Sequence, residues 1–192
     1  FLYKNFSEPV FCRLETKDYN KRIDGSLFEK KHFYQNPLSY ESSFMSFTSK
    51  TDIFIAGHFY GVGSPYLFTR DDVRSNNFNI KVVADISCDI NGPVASTIKS
   101  STIDNPIYGY NPITEREDDY MKNGIVAVMA VDNLPCELPK DSSKDFGDEF
   151  INKILPHLLG NDSDGIIERA TICENGDLTS GFLYLRDYLD NN

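Results

Sequence analysis

The chain has 192 residues, of which 40% are hydrophobic and 13% aromatic, so it holds enough apolar material for a packed core rather than a disordered chain. Lys and Arg number 19 against 29 Asp and Glu, which gives a formal net charge of -10 and an isoelectric point of about 4.7. This acidic balance, without any basic run, excludes a typical nucleic-acid-binding protein. No apolar stretch reaches the roughly 18 residues of a membrane span.

The four cysteines, at positions 12, 88, 136 and 173, are far apart in the sequence. No CxxC motif or Cys/His ligand pair occurs, so we predict reduced thiols in a cytoplasmic protein, with neither disulfides nor a structural metal. The chain begins with Phe1 rather than Met, and no basic-then-apolar secretory signal opens it. We therefore expect that processing or truncation has removed the natural start.

Four segments are predicted to form strands: 11–14, 51–57, 80–86 and 124–131. The last three are continuous apolar runs rather than alternating ones, a pattern typical of strands that are buried on both faces. Such strands favour a parallel sheet covered by helices, and hence an α/β fold.

A change of pattern near Pro135–Pro139 predicts a boundary. Beyond it, apolar residues at helical spacing predict a helix that is capped by Ser142 or Ser143 and ends at Gly160. Asn175-Gly176 predicts a two-residue hairpin turn, and residues 178–189 a closing helix.

Carboxylates follow two of the predicted buried strands. Asp85 and Asp89 come at the end of 80–86, and Asp132 with Asn133 follows 124–131. In open parallel sheets, ligands bind just beyond the carboxyl ends of the strands, where a carboxylate can take up a proton or orient an amine. The alternatives are a cap or turn carboxylate for the first pair and a polar strand exit for the second, and spacing alone leaves both open.

The other polar motifs favour structural interpretations. His58 could act as a general base, because the unperturbed pKa of histidine is about 6.5. We favour the alternative, in which His58 packs beside Phe59 and Tyr60. Gly61-Val62-Gly63 resembles a dinucleotide fingerprint but lacks its third glycine, and Pro65 interrupts the helix that should follow. The segment 162–165 resembles part of a calcium loop, but the first and twelfth positions of that loop would be Gly160 and Thr171, which lack the needed carboxylates. The segment therefore predicts a turn.

A family resemblance rests on several of these segments together. Residues 83–90, 131–135 and the predicted helix with Phe146-Gly147-Asp148 resemble segments of lysine–ketoglutarate reductases and lysine-forming saccharopine dehydrogenases. Residues 37–44, 51–60 and 64–70 match the same pattern, and the similarity covers about residues 10 to 188. The wider superfamily includes alanine dehydrogenase and transhydrogenase.

The resemblance implies a partial Rossmann-like parallel sheet. Residues 1–138 would be the C-terminal part of an NAD(P)-binding domain, with its third to sixth strands at 10–14, 52–57, 81–86 and 125–131. Residues 139–192 would be a crossover helix, a hairpin and a helix of the substrate domain. The family's glycine fingerprint and its catalytic Lys and His have no counterpart here, so we expect this chain alone to be inactive.

The resemblance also implies roles for particular residues. Asp132 and Asp89 would be catalytic, and the cofactor-binding residues would be Gly57, His58, Phe59, Asn133 and Leu134. Relatives place a non-ionisable residue at position 58, which argues against His58 as a catalyst. No residue is expected to bind a metal.

The implied parent protein is an oxidoreductase acting on CH–NH donors, with NAD or NADP as cofactor and lysine, 2-oxoglutarate or saccharopine as substrates. It would transfer a hydride at an imine carbon, and a homo-oligomer is one expected state. Partners among nucleic acids or membranes are not expected. Two alternatives stay open: an alanine dehydrogenase-like enzyme, and a non-catalytic module that binds a nucleotide or a protein partner.

Overall fold

The computed structural model describes residue 4, residues 6–61 and residues 63–190. The chain divides into two compact units, of which the first ends at Glu137 and the second begins at Leu138. In the first unit the strands are β1 (Asn20–Arg22), β2 (Tyr40–Ser42), β3 (Ile53–Ala56), β4 (Val82–Asp85), β5 (Ile107–Asn111), β6 (Arg116–Asp118) and β7 (Val126–Met129). Its helices are α1 (Thr16–Tyr19), α2 (Lys30–Gln35), α3 (Met45–Thr48) and α4 (Arg70–Val73), with 3-10 turns at Pro37–Ser39 and Leu134–Glu137.

Five strands of the described residues form one mixed sheet in the order β3-β4-β7-β5-β6. The neighbours β3, β4 and β7 run parallel, with Phe54 beside Val83 and Val83 beside Val128. β5 and β6 form an antiparallel hairpin that joins the sheet on the far side of β7. The α/β class and the three parallel strands predicted from the apolar runs are confirmed, and the sheet is a partial Rossmann-like one.

The predicted strand at 11–14 is wrong, since the structure has no strand between residues 9 and 15. Phe11 is 83% exposed there. A short apolar stretch becomes a strand only where it finds a neighbouring strand to hydrogen-bond with, and this one has none among the described residues.

The core lies on one face of the sheet. Phe54 of β3 packs there against Phe44 and Phe68, with ring centroids 4.8 Å and 6.2 Å away. Val83 and Val128 on the next two strands are completely buried. On the opposite face, Ile53 and Ile55 are 63% and 56% exposed. The prediction that this strand is buried on both faces is therefore wrong for β3, because no described element covers its second face.

The second unit contains α5 (Pro139–Glu149), a π-helical segment (Phe150–Ile154), α6 (Leu155–Leu159), α7 (Ile166–Ala170), β8 (Cys173–Glu174), β9 (Asp177–Leu178), a 3-10 segment (Ser180–Leu185) and α8 (Arg186–Asp190). The predicted stop at Gly160 is confirmed, and its N–H donates to the Pro156 carbonyl at 3.0 Å. The N-cap, however, is Leu138 with Pro139 in the first turn, rather than Ser142 or Ser143. Pro fits this position because the first-turn N–H has no partner within the helix.

The hairpin of the second unit turns where it was predicted, since Asn175 and Gly176 both adopt positive φ, at 52° and 85°. The closing helix is shorter than predicted and begins as a 3-10 segment at Ser180. Across the described residues, no helix is both long enough and apolar enough to cross a bilayer.

Candidate functional site

Three loops leave the carboxyl ends of β3, β4 and β7, which are neighbours in the sheet. Parallel strands present these ends at one edge, so the loops meet there. All seven residues predicted to form the site lie on them: Gly57, His58, Phe59, Asp89, Asp132, Asn133 and Leu134. We call this edge the carboxyl-end crevice.

Asp85, the last residue of β4, is completely buried. One carboxylate oxygen accepts hydrogen bonds from the Ser87 hydroxyl at 2.5 Å and the Cys88 N–H at 3.2 Å. The other accepts from the Thr97 hydroxyl at 2.6 Å. Of the two interpretations that the sequence left open for Asp85, the structure shows the turn carboxylate. It is closed off from solvent and holds the loop after β4.

Asp89 and Asp132 differ from Asp85 in their surroundings. Asp89 is half-buried and Asp132 exposed, and neither carboxylate accepts a hydrogen bond from any described residue. Both charges act on the thiol of Cys88. Burial first, and then Asp85, Asp132 and Asp89, raise the pKa of that thiol. Two carboxylates near one point, without internal partners, can take up a proton or bind a cationic group.

The Cys88 thiol donates to the Ala130 carbonyl at 3.2 Å, which links the loop after β4 to the end of β7. Because its pKa is raised, the thiol stays protonated near neutral pH and is a weak nucleophile. Cys88 therefore links two loops of the crevice and has a structural role rather than that of a nucleophile.

His58 is largely buried in the loop after β3, and neither ring nitrogen has a hydrogen-bond partner among the described residues. Burial lowers the pKa of His58, while the charges of Asp85 and Asp89 oppose that shift. The imidazole is therefore neutral at pH 7 and has one donor and one acceptor that no described residue uses.

We expect the substitution His58→Phe to be tolerated, because it removes a buried imidazole without hydrogen bonds and keeps a ring of similar size.

The wild type should also lose stability as the pH falls through the ordinary histidine value of 6.5, since the unfolded chain then binds a proton that the folded one disfavours. Thermal unfolding of both proteins at about pH 7.5 and about pH 5.5 measures this, and the drop should be smaller for the variant. A marked loss of stability in the variant at the higher pH would contradict the expectation that His58→Phe is tolerated.

Two tyrosines near the predicted site residue Phe59 were not themselves predicted as site residues. The rings of Tyr60 and Tyr66 meet edge to face, with centroids 5.9 Å apart. Burial raises the pKa of Tyr60, and Tyr66 and the charge of Asp89 raise it further. Phe59 is 84% exposed beside them. The aromatic run at 59–60 was a visible signal, but its pairing with Tyr66 depends on how the intervening loop folds.

A cavity of about 1390 Å³ adjoins one end of the crevice. It lies between the segment before α1 and the free edge of β3, and it reaches Gly57, His58 and Phe59. The crevice thus opens into a larger space on the β3 side.

Two arginines of the first unit stabilise its fold through ion pairs. Arg70 and Arg74 each donate to the Glu115 carboxylate at 2.7 Å, and Arg74 also pairs with Asp71. Glu115 lies in the turn between β5 and β6 with a φ of 55°. These bonds fasten α4 to that hairpin.

The fold and the crevice together define a class: a partial Rossmann-like α/β protein with a polar site at the carboxyl ends of its parallel strands. No family model matches the chain. It is 28% identical over 182 residues to an α-aminoadipic semialdehyde synthase of Arabidopsis thaliana, which covers 91% of this chain and 17% of that protein. It is 25% identical over 206 residues to the mitochondrial α-aminoadipic semialdehyde synthase of Mus musculus, covering 86% of the chain and 22% of that protein.

A third relative is the NAD(+)-dependent, L-lysine-forming saccharopine dehydrogenase of Schizosaccharomyces pombe, 26% identical over 110 residues, or 56% of the chain and 28% of that protein. The chain is thus a homologue of the α-aminoadipic semialdehyde synthases and of lysine-forming saccharopine dehydrogenase, as the sequence motifs predicted. It spans less than a third of the length of any of these three relatives.

Proposed function

We propose that this chain is part of an NAD(P)-dependent amino-acid dehydrogenase of the saccharopine type. The substrates would be lysine and 2-oxoglutarate, or saccharopine in the reverse direction. The observation that carries the proposal is the meeting of Gly57–Phe59, Asp89 and Asp132–Leu134 at one edge of the sheet, in a chain whose homologues are named for this chemistry.

The described residues fit one end of a dinucleotide. The loops 57–59 and 133–134 would hold the nicotinamide, and the neutral His58 imidazole has a donor and an acceptor available for it. When bound, the nicotinamide supplies the hydride transfer. Carboxylates at Asp89 and Asp132 would hold or accept protons near the reacting imine and would disfavour a phosphate group there. The sequence has no GxGxxG loop, so residues outside this chain would bind the pyrophosphate.

The proposal includes the domain roles that the resemblance implies, with residues 1–138 in the cofactor domain and residues 139–192 in the substrate domain. The two compact units divide one residue earlier, between Glu137 and Leu138. The exposed Ile53 and Ile55 support this proposal, because a further layer from a longer protein would bury them. The proposed cofactor is NAD or NADP. A homo-oligomer and a cytoplasmic location stay proposals, and the names of the mammalian relatives place those proteins in mitochondria.

The coding sequence upstream of Phe1 gives the first test. We expect it to encode a strand, a GxGxxG loop and a helix, behind a domain that contains the family's Lys and His. The protein from that complete reading frame should oxidise NADH or NADPH only when lysine and 2-oxoglutarate are both present. Oxidation with pyruvate and ammonia instead would indicate the alanine dehydrogenase-like alternative.

A second candidate function is a non-catalytic module that binds a nucleotide or a protein partner. The missing glycine fingerprint favours it. A start codon directly before Phe1, together with no dinucleotide-dependent turnover, would support the module and contradict the dehydrogenase.

A further inference from the structure

The segment 86–97, which we call the Asp89 loop, leaves the end of β4 and closes on itself. The Asn91 N–H donates to the Thr97 carbonyl at 2.9 Å, and the Gly92 N–H donates to the Asp89 carbonyl at 2.9 Å. These two bonds fold the loop into a compact turn, with Asp89 near its start.

A completely buried polar contact joins the end of this loop to β4. Asp85 and Thr97 are both 0% exposed, and the Thr97 hydroxyl donates to the Asp85 carboxylate at 2.6 Å. The same carboxylate also accepts from the Cys88 N–H, one residue before Asp89. The Asp85 carboxylate therefore links Thr97, at the end of the loop, to the backbone of Cys88, one residue before Asp89.

The position of Asp89 depends on the backbone of the loop. Its carboxylate accepts no hydrogen bond from any described residue, so no side-chain partner aims it. Cys88 and Asn91 adopt positive φ values of 52° and 53°, a conformation that non-glycine residues keep only where their surroundings hold it. A Cβ on Gly92 would lie 2.7 Å from that of Asp89, so the turn has no spare room.

We propose that Thr97 is a positioning residue for Asp89, acting through the buried Asp85 carboxylate. This inference rests on the proposed function, in which Asp89 faces the cofactor and the imine. The Thr97 hydroxyl satisfies an oxygen of Asp85 that water cannot reach, and Asp85 in turn fixes the turn at Cys88. Without that hydroxyl, the turn loses the arrangement that presents Asp89 to the crevice.

Thr97→Val tests the inference in the full 192-residue chain, because valine keeps the shape and removes the hydroxyl. The background carries Cys12→Ser, Cys136→Ser and Cys173→Ser, which leaves the half-buried Cys88 as the reporter thiol. We expect Thr97→Val to speed alkylation of Cys88 by iodoacetamide roughly tenfold, since an unsatisfied buried carboxylate oxygen favours opening of the loop. The backbone amide resonances of residues 88–92 should shift. In the complete enzyme, Thr97→Val should weaken binding of NADH by a similar factor. Thr97→Ser keeps the hydroxyl and should restore all three.

Thr48→Val is the matched control. Thr48 is also 0% exposed, and its hydroxyl bonds to the carbonyls of Met45 and Asn77 at 3.0 Å, outside the Asp89 loop. It should lower the unfolding temperature without changing Cys88 alkylation or the amide resonances. If Thr97→Val behaves as Thr48→Val does, Thr97 is merely structural and the inference is overturned. If the complete enzyme with wild-type Thr97 binds no NADH, the nicotinamide site of the proposed function fails, and the alkylation and resonance results from the 192-residue chain still decide whether Thr97 positions Asp89.

Discussion

Gly109→Ala is expected to destabilise the first unit by about 3 kcal/mol, the upper part of the range for overpacked sites. A Cβ at this position in β5 would lie 2.5 Å from the Asp118 carbonyl oxygen, 2.6 Å from the Ile125 side chain and 2.7 Å from the Tyr120 nitrogen. Two of these three atoms belong to the backbone and cannot rotate away. Urea unfolding, followed by circular dichroism, measures the loss.

Gly147→Ala provides the control for that experiment. Gly147 lies inside α5, and a Cβ there would meet no atom within 4 Å beyond the backbone of its own helix and its chain neighbours. Alanine there should stabilise the helix by about 0.5–1 kcal/mol, because glycine is the poorer helix former. An unchanged unfolding midpoint for Gly109→Ala would show that the β5–β6 hairpin can move apart at no cost.

Asp132→Asn in the complete enzyme is expected to lower turnover by about 100-fold or more, the usual contribution of a group that transfers protons. The affinity for NADH should change much less, because the amide keeps the shape of the carboxylate and loses only its charge and basicity. Asp132 is exposed and has no internal hydrogen bond among the described residues, so the unfolding temperature should stay the same. Steady-state kinetics and cofactor titration measure the two quantities separately.

Asp85→Asn is the comparison for that prediction. The same change at the buried Asp85 should lower stability by about 1–3 kcal/mol even without cofactor, because one of its hydrogen-bond donors then faces an amide N–H. Equal losses of turnover and cofactor affinity in Asp132→Asn would argue that Asp132 is structural as well.

The sequence predicted those parts of the fold that depend on local patterns. Continuous apolar runs located β3, β4 and β7, and Asn175-Gly176 located the hairpin of the second unit. The β5–β6 hairpin was missed because β6 is Arg-Glu-Asp and has no apolar residue to indicate a strand. Residues 11–14 had a suitable pattern, but a strand also needs a neighbour, and no local pattern reveals one.

The sequence likewise predicted only part of the candidate site. The rule that ligands bind at the carboxyl ends of parallel strands selected the loops after β4 and β7, whereas residues 57–59 after β3 came from the family resemblance. It did not distinguish Asp85 from Asp89, because the burial of Asp85 depends on Thr97, which follows twelve residues later. The pairing of Tyr60 with Tyr66 also depends on a loop conformation that spacing does not encode.

The order of the strands has a consequence for how the sheet assembles. β7 lies between β4 and β5, although it follows both in the chain. As the polypeptide leaves the ribosome, β3 can pair with β4 and β5 with β6, but these remain two separate halves until β7 has emerged. β7 then pairs with β4 and with β5. Until that moment, the unpaired edges of β4 and β5 can hydrogen-bond with strands of other chains. The interval between synthesis of β4 and of β7 is therefore the period in which this unit is most exposed to misassembly.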